Sequence, residues 1–294
     1  MYRYYLFGLT VLLFISCGKP KASFVANYVD EVKSKTNIAF KNNSKNAGKS
    51  TWYFGDGTTS SETDPQHDYS SFGTLMVILE VSKGEDIDRD TQYLTIVEPP
   101  RTKVKIETDF GNMIAELYNS TPFHRDNFIR LANDKFYDGL LFHRIMDGFM
   151  VQGGDPDSRD APPGQVLGMG GPGYLLKPEI GELHYTGTLA AARMPDNVNP
   201  NRESSGSQFY IVEGRRWSTI ELANIGSQIG ITYTPEQKQI YTQRGGYPPL
   251  DKQYTVFGQV IEGLNIIDSL SRVEVDGADR PLKDYKMKVS VVNE

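Results

Sequence analysis

Two adjacent prolines, Pro99 and Pro100, separate two stretches that both read as β-structure. Proline has no backbone N–H to extend a ladder, so no strand runs through this point, and the pair stiffens the path between its two sides. A chain of 294 residues also divides into about two domains at roughly 150 residues each. Before the break, Leu75, Val77, Leu79 and Val81 share one face at period two, as a half-buried strand requires. After it, Val104, Ile106 and Thr108 alternate, Asp109 to Asn112 turn the chain, and Met113, Ala115 and Leu117 alternate again. The expectation is two mainly β domains, at 23–98 and 101–294.

Charge and cysteine narrow the function classes. With 31 basic and 37 acidic residues the net charge is −6, which argues against a nucleic-acid partner, whose phosphates need a concentrated positive field. The one cysteine, Cys17, excludes an intramolecular disulfide framework, a cysteine zinc site and an iron–sulfur cluster. It ends a short leader: Arg3, then an uncharged, largely apolar stretch too short to span a bilayer as a helix. Phe14-Ile15-Ser16-Cys17-Gly18 resembles the lipobox of bacterial lipoproteins, with Phe14 in place of the usual Leu. That resemblance implies a signal peptide over 1–16, a lipidated tether over 17–22 with Cys17 as the acylated first residue, and an exported protein held to a cell-envelope membrane, periplasmic or surface-facing. Several acyl chains on one Cys hold stably, at about 0.8 kcal/mol per buried CH₂. An ordinary secretion signal with an incidental cysteine is the alternative.

In the first domain, Trp52-Tyr53-Phe54-Gly55-Asp56-Gly57 precedes Pro65-Gln66-His67-Asp68-Tyr69. Asp56-Gly57 is a turn signal, since Gly tolerates positive φ. These segments resemble a PKD-type (polycystic kidney disease) domain, which implies an immunoglobulin-like β-sandwich serving as spacer or adhesion module, with a protein or a glycan as the class of partner. His67 reads as a structural histidine beside a turn rather than a metal ligand. The four histidines, at 67, 124, 143 and 184, show no metal spacing.

In the second domain, three segments occur in order: Phe142-His143-Arg144-Ile145-Met146-Asp147-Gly148-Phe149-Met150-Val151-Gln152-Gly153-Gly154-Asp155, then Gly206-Ser207-Gln208-Phe209-Tyr210-Ile211, then Leu250 to Val260. They resemble the cyclophilin family of peptidyl-prolyl cis-trans isomerases over nearly all of 103–292. The resemblance implies a closed eight-stranded antiparallel β-barrel capped by two helices. Thr121, as N-cap, with Pro122 in the first turn, begins one helix that ends near Asp134; the other spans about 263–271.

The chemistry such an enzyme performs is spare. Rotation about an X–Pro bond is opposed by amide resonance, a barrier of about 18–20 kcal/mol, and takes roughly 10–100 s unaided. At the twisted transition state the proline nitrogen regains its lone pair, so a hydrogen-bond donor aimed there and an apolar pocket for the ring lower the barrier selectively. This requires neither nucleophile, metal nor redox cofactor. Arg144 is the expected catalytic donor, because a guanidinium stays charged and offers several fixed N–H groups. A charge-assisted bond of about 1.5–3 kcal/mol gives roughly 10–100-fold in rate. By motif, Phe149, Met150, Tyr210 and Leu250 form the proline pocket. Gln152 binds substrate backbone and orients Arg144, Gln208 and the Ala192 backbone contact the peptide, and Tyr254 makes a polar contact. Proline-containing polypeptides are the implied substrates.

Two departures stand out. Many eukaryotic members carry Trp just before the Leu-Asp pair, where this chain has Pro249, and Trp217 lies too far back to replace it. A stretch of about 30 residues, 217–246, is inserted where the family has a short loop. It carries capping-box patterns at Ser218/Glu221 and Thr234/Gln237, with Pro235 in a first turn and Arg244-Gly245-Gly246 as a stop, and predicts a helical hairpin beside the site. The hairpin either selects substrates or a partner, or is neutral decoration. Gly168 to Gly173 lacks the Lys-Ser/Thr ending of a phosphate loop, and Ser204 to Ser207 has no nucleophile elbow around it. The leading reading is an isomerase assisting folding of exported proteins; the alternative is a non-catalytic proline-peptide-binding or adhesion module.

Overall fold

The computed structural model describes residues 18–27, 32–33, 37–69 and 72–292; the leader and Cys17 lie outside the described residues. The chain divides into two compact units, one ending at Pro99 and one beginning at Pro100. Among the described residues no helix is long and apolar enough to cross a membrane.

The first unit pairs two sheets. One joins Phe24–Asn27, Asn37–Asn42 and Gln66–Asp68; the other orders Val32–Lys33, Asp86–Val97, Gly73–Lys83, Lys49–Tyr53 and Thr59–Ser60. The period-two residues of Gly73–Lys83 pack as expected, with Val77, Leu79 and Val81 in a core that also holds Phe24, Ile38, Phe40, Trp52, Phe54 and Tyr69, and Leu75 packs at its margin. The two buried polar handles are satisfied: Trp52 Nε1 donates to the Glu62 carbonyl at 3.0 Å and Tyr69 OH to the Phe54 carbonyl at 3.1 Å. His67 is structural. Its Nε2 lies 2.7 Å from Asp56 Oδ2 and its ring stacks on Phe54 at 4.1 Å.

In the second unit eight strands close a barrel. In chain order they are β1 (Lys103–Thr108), β2 (Gly111–Leu117), β3 (Leu140–Met146), β4 (Met150–Gly153), β5 (Thr188–Ala191), β6 (Phe209–Val212), β7 (Val256–Glu262) and β8 (Lys286–Val291). Around the barrel the order is β2-β7-β5-β6-β4-β3-β8-β1, closed by the antiparallel β1–β2 hairpin. The alternation read from sequence is the inward face: Val104, Ile106, Met113, Ala115 and Leu117 are fully buried, with Val151, Leu189, Phe209, Ile211 and Val289 from the other strands.

Helix α1 (Pro122–Asn133) covers this core with Phe128, Leu131 and Ala132, and α4 (Leu264–Ser271) with Ile266, Ile267 and Leu270; α2 (Thr219–Ile229) and α3 (Pro235–Gln243) make the hairpin of the insertion. Both capping boxes form, Ser218 with Glu221 and Thr234 with Gln237. Thr121 occupies the N-cap of α1, but its side chain caps nothing. The orphan N–H groups of Phe123 and His124 are taken instead by the Glu179 carboxylate at 3.1 and 3.0 Å, an anion placed at the positive end of the helix. Glu179 also lies 2.7 Å from His124 Nδ1.

Candidate active site

The site is built on the outside of the barrel from the residues that alternate with its core. Where Val151 points in, Met150 and Gln152 point out; where Phe209 and Ile211 point in, Tyr210 and Val212 point out. Strand β3 departs from this rhythm. Phe142 and Ile145 both enter the core although three residues apart, which a regular strand forbids. A register irregularity between Phe142 and Arg144 resolves the conflict, and it turns Arg144 outward, directly across from Gln152. The hairpin joining β3 to β4 is held from below: Glu213 Oε2 accepts from the Gly148 N–H and Oε1 from the Ser271 hydroxyl, both at 2.7 Å. Burial raises the Glu213 pKa.

The result is an open cleft of about 350 Å³ lined by Arg144, Phe149, Met150, Gln152, Ala192, Tyr210, Leu250 and Tyr254, together with His143 and Arg193. Every cleft residue expected from sequence except Gln208 is in it. Gln208 lines an adjoining groove of about 580 Å³ that shares Gln152 and Ala192. It is 5% exposed, and its amide is engaged at both ends: Nε2 donates to the Gly170 carbonyl at 2.7 Å and Oε1 accepts from Gln152 Nε2 at 3.1 Å. Its geometry therefore suits holding Gln152 and the Gly-rich loop. The same loop is clamped by buried Asp155, which accepts from the Gly168 and Gly170 N–H groups.

Arg144 is 42% exposed at the lip of the cleft. The group that orients it is Asp279, whose Oδ2 accepts from Nε at 3.3 Å, and not Gln152, whose amide is turned to Gln208. A carboxylate at Nε holds the guanidinium from one edge, one terminal nitrogen lies 3.1 Å from Met146 Sδ, and Arg144 lines the cleft. Asp279 is itself presented by a tight loop, in a left-handed conformation at φ 64°, with Asp276 Oδ1 accepting from the Ala278 and Arg280 N–H groups. The Ala192 backbone is partly committed. Its N–H donates to the Gln208 carbonyl and its carbonyl accepts from Ser205, which leaves one carbonyl lone pair for a ligand.

Four residues to which the sequence assigned no role support this wall: Arg193, Tyr247, and His184 with Asp251 behind the expected Tyr210. Arg193 lies over the Tyr254 ring at 4.5 Å, and its Nε donates to the Gln253 carbonyl at 2.9 Å. Tyr247 packs its ring against Phe149 at 4.2 Å. Tyr210 is buried, and its hydroxyl meets His184 Nε2 at 3.0 Å; burial holds that phenol well above its ordinary pKa. His184 Nδ1 lies 3.0 Å from Asp251 Oδ1. Trp217 packs in the insertion, among Leu222, Tyr233 and Tyr241, and does not line the cleft. His143 is buried behind Arg144 with neither ring nitrogen partnered, and burial lowers its pKa to about 4, so it is a neutral part of the floor. Among the described residues no grouping of His, Cys, Asp and Glu could hold a metal ion.

The family model for cyclophilin type peptidyl-prolyl cis-trans isomerases matches residues 103–292. The chain belongs to the cyclophilin family. Its isomerase-type domain is preceded by a match to the PKD domain over residues 18–97. A candidate peptidyl-prolyl cis-trans isomerase of Staphylococcus aureus (strain USA300) is 32% identical over 205 residues, covering 67% of this chain and 95% of that one. A candidate bifunctional phosphatase/peptidyl-prolyl cis-trans isomerase of Streptococcus pyogenes serotype M6 is 34% identical over 206 residues, and the chain spans 40% of that longer protein. Among solved structures, a cyclophilin type isomerase of Cryptosporidium parvum is similar with a TM-score of 0.48 and 24% identity, covering 66% of this chain and 99% of that one.

Proposed function

We propose that the chain catalyses cis–trans isomerisation of X–Pro bonds in exported proteins, with Arg144 as the donor to the proline nitrogen. The observation that carries this reading is a guanidinium pinned through Nε by Asp279 at the edge of an apolar pocket of Phe149, Met150, Tyr210 and Leu250. The pocket takes the proline ring by apolar burial, at about 25 cal/mol per Å². Gln152 and the free lone pair of the Ala192 carbonyl hold the substrate backbone on either side. Tyr254 lines the same cleft, and its hydroxyl would supply a polar contact. Gln208 acts through Gln152. As the bond twists, the proline nitrogen becomes an acceptor, so the Arg144 bond strengthens in the transition state more than in either planar isomer, which is what lowers the barrier.

Cys17, acylated after removal of residues 1–16, would tether the domains to a cell-envelope membrane, and the PKD-type domain would serve as spacer or adhesive for a protein or glycan. The test has two arms. The full chain should accelerate exchange in an Ala-Ala-Pro-Phe peptide, and Arg144→Lys, which keeps charge but loses the planar fork, should lose most of that acceleration. Labelled palmitate should enter the protein in cells and fail to enter Cys17→Ser. Equal rates in the first arm would overturn the Arg144 role, and equal labelling in the second would overturn the tether.

A further inference from the structure

The insertion at 217–246 buries two phenols against Asp251. Tyr233 OH donates to Asp251 Oδ2 at 2.8 Å and Tyr241 OH donates to the same oxygen at 2.7 Å. The other oxygen, Oδ1, accepts from the His184 N–H at 2.8 Å and meets His184 Nδ1 at 3.0 Å. Asp251 and His184 are both 0% exposed, and Tyr233, Tyr241 and Tyr210 are buried with them. A carboxylate can only accept, so Nδ1 carries a ring proton; in the neutral ring Nε2 is then the acceptor, and the Tyr210 hydroxyl, 3.0 Å away, donates to it. The chain of bonds runs without a break from the two helices' hairpin to a wall of the proline pocket. Burial and the neighbouring Asp251 charge hold both insertion phenols far above their ordinary pKa, so they stay donors.

A second contact ties the same hairpin to the cleft. Trp217 Nε1 donates to the Gly246 carbonyl at 2.9 Å, and the next residue, Tyr247, donates its N–H to the His184 carbonyl at 2.7 Å while its ring packs on Phe149. Gly246, at φ 146°, has no room for a side chain here, since a Cβ would sit 2.2 Å from the His184 carbonyl oxygen.

We propose that the 217–246 hairpin is a positioning element of the proline pocket, and that Tyr233 and Tyr241 set the orientation of the Tyr210 ring through Asp251 and His184. The inference rests on the reading of the cleft as the isomerase site. It gives the insertion a role in substrate affinity. Losing the phenol donors leaves Asp251 Oδ2 buried without a partner, so the carboxylate shifts, His184 turns with it, and Tyr210 loses its fixed acceptor. Arg144 is untouched by this change. The loss therefore falls on substrate binding, common to ground and transition states, and appears in KM.

The experiment measures kcat and KM of the full chain on an Ala-Ala-Pro-Phe peptide for Tyr233→Phe, Tyr241→Phe and the double variant, with thermal unfolding of each. Each single variant keeps one phenol on Oδ2 and should raise KM about twofold; the double variant should raise it about fivefold with kcat within twofold. The same pair in a Tyr210→Phe background should change KM less than twofold, because the route has already been cut at its far end. A purely structural hairpin would give the same KM effect in both backgrounds. Unchanged KM in the single variants, or an undiminished effect beside Tyr210→Phe, overturns the proposal. Arg144→Ala run in parallel separates the two readings: wild-type kcat there fails the isomerase site itself, whereas lost kcat there with unmoved KM in the tyrosine variants fails only the hairpin's role.

Discussion

The sandwich and the barrel each hold a histidine beside an aspartate and a ring. In the sandwich, His67 meets Asp56 at 2.7 Å and stacks on Phe54, and Asp56 Oδ1 closes its own turn by accepting from the Thr58 N–H and hydroxyl. In the barrel, His184 meets Asp251 at 3.0 Å and stacks near Tyr210 at 6.1 Å, but every group in the chain is buried and its two ends lie in different places, the insertion and the cleft. The first pair is local and ends where it begins. The second connects. What distinguishes them is therefore the span of the network and its burial, since the residue types are the same.

That contrast can be broken by mutation. The largest expected effect is His184→Ala, which leaves the buried Asp251 carboxylate and the Tyr210 hydroxyl without their shared partner and should cost about 3 kcal/mol in the denaturant-unfolding free energy of the barrel. Acid should expose a different buried histidine. His143 has a pKa lowered to about 4 by burial, whereas an unfolded histidine titrates near 6.5. Between those values the unfolded chain binds the proton and the native one does not, so stability rises with pH across that window and falls on acidification, by at most about 1.4 kcal/mol per pH unit. His143→Gln should remove that part of the slope, and identical slopes in urea titrations at pH 6.5 and 4.5 would contradict it. His67→Ala should cost only about 1 kcal/mol, since its pair is partly solvated and Asp56 keeps the Thr58 bonds. If His67→Ala proved as costly as His184→Ala, the distinction between a local and a connecting pair would fall. The smallest effect expected is Asp279→Asn, a half-buried partner whose loss should leave the melting temperature nearly unchanged while lowering kcat/KM about threefold by loosening Arg144.

Much of this was legible before the structure. Period-two alternation marked the inward faces of β1 and β2, the capping-box patterns marked the starts of α2 and α3, and the three motif segments carried the residues that converge on the cleft. What escaped was of one physical kind. Asp279 orients an arginine 135 positions away, Glu179 caps a helix 55 positions away, and Asp251 joins two insertion tyrosines to His184. Such pairings are made by the tertiary fold and leave no local periodicity. The irregularity in β3 is different, because its signal was present: Phe142 and Ile145 are two apolar core residues at odd spacing within one strand, and only a bulge lets both face inward. The Thr121 side chain shows the converse, a correct cap position whose hydrogen bonds come from elsewhere.

Arg144 is the residue on which the proposed catalysis turns. Exchange NMR on an Ala-Ala-Pro-Phe peptide, with full-chain wild type and Arg144→Ala, separates catalysed rotation from binding. A donor that acts at the twisted nitrogen predicts a catalysed rate about 10–100-fold lower in Arg144→Ala, with peptide affinity within about twofold. Equal catalysed rates would contradict it, as would a loss of rate matched by an equal loss of affinity.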